Sequence, residues 1–230
     1  MDCVVFFDDV LVPWERVFLL GDIELLNRTG VETNFSAHSA HQGAVKNLAK
    51  CEFVLGVALL MTETLGNSQV PHTESYVGEL MLTTSLMKAC IRGAEADAKL
   101  DKWGVMCPDP VMIESTRNLF MTAYPRMIEI LHLLGSSSFM ITPSKADLEG
   151  PLAPDIGQYL ATDNSTAHDR VRLFRLASDL AISSFDNRQV LYERFYASDP
   201  LSRARALAAL YPKSEAKERV LAFLRRDDDF

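Results

Sequence analysis

Between residues 110 and 135, one helical pattern constrains the fold of this chain more than any other sequence feature. Seven positions, almost all of them apolar, recur at alternating spacings of three and four: Ile113, Thr116, Phe120, Ala123, Met127, Ile130 and Leu134. This spacing is typical of a helix that packs lengthwise along other helices. Asp109-Pro110 is a helix-start signal and Gly135 a stop signal, while Pro125 should kink the helix without ending it. The pattern therefore predicts a helical bundle.

Helical patterns also precede this segment. A first long helix should follow the capping residues Thr33 and Asn34 and end at Gly66. The positions that recur at helical spacing in it are His41, Val45, Leu48, Leu55 and Leu59. A second helix should begin at Pro71 and fade near Asp101.

After the pattern at 113–134, residues 135–163 hold three prolines and are expected to form a long irregular connection. Helical signals resume near Asn164, and the expected apolar face comprises Val171, Phe174, Ala177, Ala181 and Phe185. Asp199-Pro200 should start a short helix, and Ser214 should cap the last one. The predicted fold is therefore all-α, an antiparallel four-helix bundle with short C-terminal helices.

Residues 1–22 differ from the rest of the chain because β-branched and aromatic residues dominate them. Cys3–Phe7 and Val10–Val12 have the composition of short edge strands, and Pro13 would stop strand pairing. No later segment offers a convincing partner strand. Either these residues form an extended arm against the helices, or their sheet belongs to a part of the protein outside this chain, which we favour. We therefore divide the chain into the end of a β-domain, 1–22, and a helical domain, 23–230.

Charge and composition exclude several classes of function. The chain has 31 acidic and 23 basic residues and a formal net charge of −8, which argues against nucleic-acid binding. It contains no uncharged apolar run of membrane-spanning length and no signal-peptide pattern at its start. Its four cysteines are widely separated, which fits a reducing cytoplasm better than a disulfide framework.

Three groups of residues could carry chemistry. His38 and His41 share a helix face, but no third ligand lies at a usable spacing, so we expect no metal site. Backbone amides of residues 135–138 could approach a phosphate, although a glycine followed by serines is also an ordinary helix end. Arginines and aromatics of residues 187–196 could hold a phosphate and stack on a planar ring. They could equally be core aromatics and surface ion pairs, with Glu193 bound to a nearby arginine.

Several motifs resemble the oxygenase components of the 4-hydroxyphenylacetate 3-monooxygenase family. The matching segments are Phe7–Phe18, Leu173–Ala177, Asp179–Ala181, Arg188–Tyr196 with Asp199-Pro200, His41-Gln42 and Leu134-Gly135. The first of them resembles the exit from the middle β-domain of that family. The resemblance runs over essentially the whole chain.

This resemblance implies a fold similar to that of acyl-CoA dehydrogenases, in which the chain is the C-terminal four-helix bundle with a trailing piece of the β-domain. It also implies a homotetramer built largely through the bundle. In this family a separate flavin reductase supplies reduced FAD, and the oxygenase then hydroxylates a phenol next to its hydroxyl group. The expected partners are therefore further copies of the chain, a flavin reductase and a phenolic small molecule.

The resemblance also implies two FAD-contacting turns. One comprises Arg194, Phe195, Tyr196, Ala197 and Ser198. The other comprises Gly135, Ser136, Ser137 and Ser138, and it could contact the cofactor of a neighbouring subunit. No catalytic residue is assigned, because the substrate-orienting residues of the family lie in parts that are missing here.

Two other functions stay open from the sequence. The chain could be a stand-alone oligomerisation module or a truncated remnant, since Met1 falls almost directly at the exit from the β-domain. It could also resemble 4-hydroxybutyryl-CoA dehydratases, which hold an iron–sulfur cluster with cysteines and a histidine. Cys51 lies ten positions after His41, but no clustered cysteines complete such a site.

Overall fold

The computed structural model describes residues 3–225, and within this range most of the chain is α-helical. The helices are α1 (Ile23–Glu32), α2 (Phe35–Leu65), α3 (Pro71–Ala96), α4 (Pro110–Gly135), α5 (Lys145–Glu149), α6 (Ala153–Tyr159), α7 (Ala167–Ala181), α8 (Ser184–Phe195), α9 (Pro200–Leu210) and α10 (Lys213–Leu224). Two short strands, β1 (Lys99–Leu100) and β2 (Met106–Cys107), pair antiparallel between α3 and α4. No helix within residues 3–225 is long and apolar enough to cross a membrane.

Helices α2, α3, α4 and α7 form the bundle, and α8 and α9 pack against α4 on its outer side. The predicted all-α class is confirmed. The repeat that defined α4 points into the core, because Ile113, Phe120, Met127, Ile130 and Leu134 are all buried. Pro125 lies inside α4 and does not end it.

Helix ends follow the local chemistry of the sequence where the capping residue has no competing partner. Asp109 accepts a hydrogen bond from the Met112 amide at the start of α4. Asp199 does the same for the Ser202 amide at the start of α9. Gly66 ends α2 with a φ of +68°, a conformation that glycine adopts without steric cost.

Four predicted caps or ends are wrong. Asn34 precedes α2, but its side chain donates to Asp101 at 2.9 Å instead of capping the helix, and Thr33 belongs to the end of α1. Ser214 lies inside α10, whose first residue follows Pro212. Helix α3 ends at Ala96, because the β1–β2 hairpin takes over the chain before Asp101.

Two predicted core positions are wrong for different reasons. Val45 is 49% exposed on α2, because the packed face of that long helix lies along Ala40, Ala44 and Cys51. Phe185 is 60% exposed, because α7 ends at Ala181 and the residue belongs to the first turn of α8.

Two regions contain more helix than the sequence pattern predicts. Helix α1 was not predicted, although Asp22 caps it by accepting from the Leu25 amide. The connection expected to be irregular contains a 3-10 helix at Ser136–Phe139 and two short α-helices, α5 and α6. Ser144 and Asp147 form a reciprocal capping box at the start of α5, which explains how a helix forms in so short a segment.

The N-terminal arm, residues 3–20, forms no strand. It is extended except for a 3-10 turn at Trp14–Arg16. Its apolar side chains contact little of the bundle, and Phe6, Leu11 and Phe18 are 85%, 89% and 95% exposed. The arm therefore does not lie against the helices. The proposed boundary between residues 22 and 23 stays a prediction, although α1 begins at Ile23.

Candidate functional site

The predicted turn Arg194–Ser198 joins α8 to α9 at the edge of the bundle. Arg194 and Phe195 form the last turn of α8, and the Tyr196 amide donates to the carbonyl oxygen of Tyr192 at 2.9 Å. Ser198 has a φ of +96°, a conformation that costs free energy for a residue with a side chain. The Asp199 cap on α9 holds the far side of this turn in place.

Aromatic side chains surround the turn. The Tyr192 and Tyr196 rings stack with their centroids 4.7 Å apart and their planes 10° from parallel. The Tyr196 hydroxyl lies against α2 at Gly43, where a β-carbon would come within 3.1 Å of it. Phe195 and Tyr196 nevertheless keep almost half of their surfaces exposed and line an open cavity of about 450 Å³ together with Arg188.

A buried ion cluster fixes the end of α8 that carries this turn. The Glu193 side chain is fully buried, and its two carboxylate oxygens accept from the Lys46 ammonium of α2 at 2.6 and 2.8 Å. Lys50, one turn further along α2, also donates to Glu193 and binds Gln189 at 2.8 Å. Because Glu193 directly precedes Arg194, the cluster ties the candidate turn to α2.

Burial and charge shift the pKa values of the groups in this cluster. Burial lowers the pKa of Lys46, although the hydrogen bond and negative charge of Glu193 oppose that shift. Burial also raises the pKa of Tyr196, and the Glu193 charge adds to the rise. The Lys46 ammonium lies 5.0 Å from the Tyr196 ring centroid and 5.5 Å from that of Tyr192, a cation–π geometry. The site is therefore electrostatically coupled from α2 to the aromatic pair.

The sequence patterns did not indicate this ion cluster. The alternative in which Glu193 pairs with a nearby arginine is wrong, because Lys46 and Lys50 bind its carboxylate. Lys46 and Lys50 are four residues apart on α2, and Gln189 and Glu193 are four apart on α8. Each pair therefore shares one helix face. That complementary spacing was a usable signal, but the sequence alone did not show that α2 and α8 are neighbours.

The second predicted turn, residues 135–138, is a 3-10 helix that continues from α4. Gly135 is required there by packing, because a β-carbon on it would lie 2.1 Å from Cε2 of the Phe139 ring. That ring packs edge-on against Phe174 of α7, with centroids 5.9 Å apart. Ser136 has a φ of +43°, and both Ser136 and Ser137 are exposed.

The structure does not bring the two predicted turns together within one copy of the chain. The turn at 135–138 packs on α4 and α7, whereas the Arg194–Ser198 turn lies beside Gly43 of α2. Each turn borders a different cavity.

The two histidines have separate partners. His41 Nε2 lies 2.9 Å from Oε1 of Glu95 on α3, and His38 Nε2 lies 3.3 Å from Sγ of Cys107 on β2. Among residues 3–225, no group of three or more histidine, cysteine or acidic side chains is arranged to hold a metal ion.

The turn after α8 presents aromatic and cationic side chains at its surface. A planar ring system can stack on exposed aromatic faces, and Phe195 and Tyr196 offer two such faces at the rim of a cavity. The Arg194 guanidinium lies 5.7 Å from the Phe195 ring centroid and supplies positive charge for a phosphate-bearing ligand. These residues cover only part of so large a ligand.

The fold defines the chain as an all-α helical-bundle domain. A crystal structure of the oxygenase component of 4-hydroxyphenylacetate 3-monooxygenase matches 96% of the chain with a TM-score of 0.90 and 42% identity. The family model "4-hydroxyphenylacetate 3-hydroxylase C terminal" matches residues 27–225. The chain belongs to this family.

Curated relatives agree with this assignment. The oxygenase component from Thermus thermophilus is 43% identical over 98% of the chain, and the one from Geobacillus sp. is 40% identical over 97%. The chain spans about half of each relative, 47% and 46% of their lengths. A 4-hydroxybutyryl-CoA dehydratase structure, with 18% identity and a TM-score of 0.79, shares the fold alone.

Proposed function

We propose that this chain is the FAD-contacting and oligomerisation domain of a reduced-flavin-dependent phenol monooxygenase. The observation that carries the proposal is a structure complexed with FAD and 4-hydroxyphenylacetate, which matches 96% of the chain at 42% identity. Other relatives are named as monooxygenases of nitrophenols. We therefore take the substrate to be a phenol, with 4-hydroxyphenylacetate as the first compound to test.

In this proposal, Phe195 and Tyr196 stack against the flavin ring system and exclude water from one of its edges. Arg194 provides positive charge near the cofactor. The Lys46–Glu193 contact holds the end of α8, so that the aromatic faces keep a fixed distance from α2. When bound, reduced FAD would provide the chemistry with molecular oxygen. The protein provides binding, orientation and the exclusion of water.

The proposed partners are a flavin reductase, which delivers reduced FAD, and three further copies of the chain. A relative named as an FADH2-dependent monooxygenase supports the need for a supply of reduced flavin. In the proposed tetramer, the exposed Ser136 and Ser137 would face the cofactor of a neighbouring subunit. We propose the cytoplasm as the location, because it can supply reduced flavin continuously.

The test uses the complete product of the reading frame that contains this chain. Mixed with reduced FAD, oxygen and 4-hydroxyphenylacetate, it should form a catechol that chromatography detects. Tyr196→Leu should weaken FAD binding at least tenfold, because the ring face is lost, whereas Tyr196→Phe should keep most of the affinity. Tyr211→Leu removes an exposed tyrosine at the other end of α9 and serves as the matched control. Failure to hydroxylate any simple phenol would overturn the proposed activity.

A further inference from the structure

A second cavity is separate from the one beside the aromatic turn, because the two share no lining residue. It has a volume of about 460 Å³ and is lined by α1, α2, α4 and α9. Small apolar side chains form its walls, among them Ala37, Ala40 and Ala206. Its volume lies within the range of pockets that hold small organic molecules.

Three charged side chains line one end of this cavity. Glu114 and Arg117 lie one turn apart on α4, and Arg203 comes from α9. Glu114 is only 6% exposed, and the side chains of the two arginines are 16% and 24% exposed. Two guanidinium groups therefore share a single carboxylate in a largely desolvated place.

The pairing within this group is incomplete. Glu114 lies 3.5 Å from Arg117 Nη1 and 3.6 Å from Arg203 Nη1, both longer than a good charge-assisted hydrogen bond. The buried atoms Glu114 Oε1, Arg117 Nε and Arg203 Nε have no hydrogen-bond partner. Buried charges and polar atoms are normally paired, and the surplus here is one positive charge. A second anion between the guanidinium groups would remove that surplus.

We propose that this cavity binds a small organic carboxylate with a compact apolar body. The carboxylate would lie between Arg117 and Arg203, since the guanidinium fork matches its geometry. The apolar body would rest on the alanine walls contributed by α2 and α9. The net charge of the cluster would then be zero.

This site is independent of the proposed flavin contacts but adjacent to them. The positive charge of Arg117 opposes the rise in the pKa of Tyr196, so the two residues interact electrostatically. The side chains that would bind the carboxylate come from α4 and α9, whereas the proposed flavin faces belong to the turn after α8. The two proposed sites share no binding residue, so each can be tested with its own variants.

The test measures ligand binding to the 230-residue chain. Ligand-observed NMR titrations compare cyclohexanecarboxylate with its neutral isostere, cyclohexanecarboxamide. Both compounds fill the cavity equally, but only the first carries an anion. The carboxylate should bind at least tenfold more tightly than the amide.

Removing an arginine and removing the glutamate should change carboxylate affinity in opposite directions. Arg117→Gln and Arg203→Gln should each weaken carboxylate binding about tenfold, which corresponds to about 1.4 kcal/mol. Glu114→Gln should tighten it, because the competing internal carboxylate is lost. If Glu114 had only a structural role, its replacement would not tighten carboxylate binding.

Two more variants separate the site from general damage to the fold. Ala206→Leu fills the cavity without changing charge and should abolish binding, while Arg172→Gln on the exposed face of α7 should leave it unchanged. Circular dichroism confirms that each variant is folded. Equal affinity for acid and amide, no binding of either, or weaker binding by Glu114→Gln would overturn the proposal.

Discussion

Glu193 shows how much of this site depends on one buried carboxylate. It pairs with both Lys46 and Lys50, and its side chain has no contact with solvent. Buried ion pairs contribute little net stability when intact, but removing one partner strands the other in a low-dielectric environment. Here two ammonium groups would be left without their common partner.

We therefore expect Glu193→Gln to lower the free energy of unfolding by about 3 kcal/mol. Urea denaturation followed by circular dichroism measures this change. Glu95→Gln breaks an exposed pair with His41 and should leave stability nearly unchanged. Adding Lys50→Met to Glu193→Gln should recover part of the loss, because one stranded ammonium is removed. A Glu193→Gln variant as stable as the parent would contradict this role.

Cys51 makes the stability of the folded chain depend on pH. It is fully buried on α2, and burial, with a smaller contribution from the charge of Glu52, raises the pKa of its thiol to about 12. The unfolded chain loses this proton near the ordinary thiol pKa of about 8.5. Between these two values the folded state binds more protons than the unfolded state, so stability falls as pH rises.

Cys51→Ala should therefore flatten the alkaline part of the stability curve. The difference in unfolding free energy between the parent and the variant should be constant from pH 6 to 8. Above pH 9 it should shrink by up to about 1.4 kcal/mol per pH unit, which is the limit for one group. Urea denaturation at each pH gives both curves. Parallel curves up to pH 11 would show that Cys51 does not titrate as described.

At the scale of the elements, Gly135 allows the end of α4 to pack closely against the Phe139 ring. The resemblance assigned it to a cofactor turn, but its nearest neighbour is the ring of Phe139. A methyl group at this position would push that ring away from Phe174 and disturb the contact between α4 and α7.

Gly135→Ala should lower the free energy of unfolding by about 1–3 kcal/mol, the usual cost of overpacking a core. Gly56→Ala in the middle of α2 is the matched control, since no atom lies within 4 Å of the added carbon. The control should be neutral or stabilising by about 0.5–1 kcal/mol, because alanine favours helix. If both variants behave alike in thermal unfolding, packing against Phe139 is not the reason for the glycine.

The elements were predictable where a local signal acts alone. The Asp109 and Asp199 caps and the Gly66 end follow directly from residue type and position. Asn34 failed as a cap because a residue far along the chain, Asp101, captures its side chain. Such tertiary partners are not visible in the sequence, and the same limit hid the neighbours of Glu193.

At the scale of the whole molecule, the exposed apolar surface is the main feature. The arm presents Phe6, Phe7 and Leu11 to solvent, and α10 presents Phe223 and Leu224. We expect these exposed apolar side chains to contribute to an interaction surface. The family resemblance predicts assembly through the bundle. The sequence did not show which surfaces assemble, because the arm has no hydrophobic periodicity.

The 230-residue chain alone should self-associate and bind FAD poorly, since most of the flavin surface would lack walls. Sedimentation velocity at micromolar concentration measures the first property, and flavin fluorescence quenching measures the second. Replacing Phe6 and Phe7 by serine should reduce self-association without lowering thermal stability, because neither ring packs on the bundle. A strictly monomeric chain, or stoichiometric FAD binding by this chain alone, would contradict these expectations.

Helix α2 is continuous from Phe35 to Leu65 and connects two distant parts of the molecule. Near its start, Gly43 touches the hydroxyl of Tyr196, and near its end the carbonyl oxygen of Glu63 accepts a hydrogen bond from Asn164. At 1.5 Å per residue these contacts lie about 30 Å apart along one rigid rod. Because α2 is one continuous helix, the helix itself fixes the distance between the aromatic turn and the segment around Asn164.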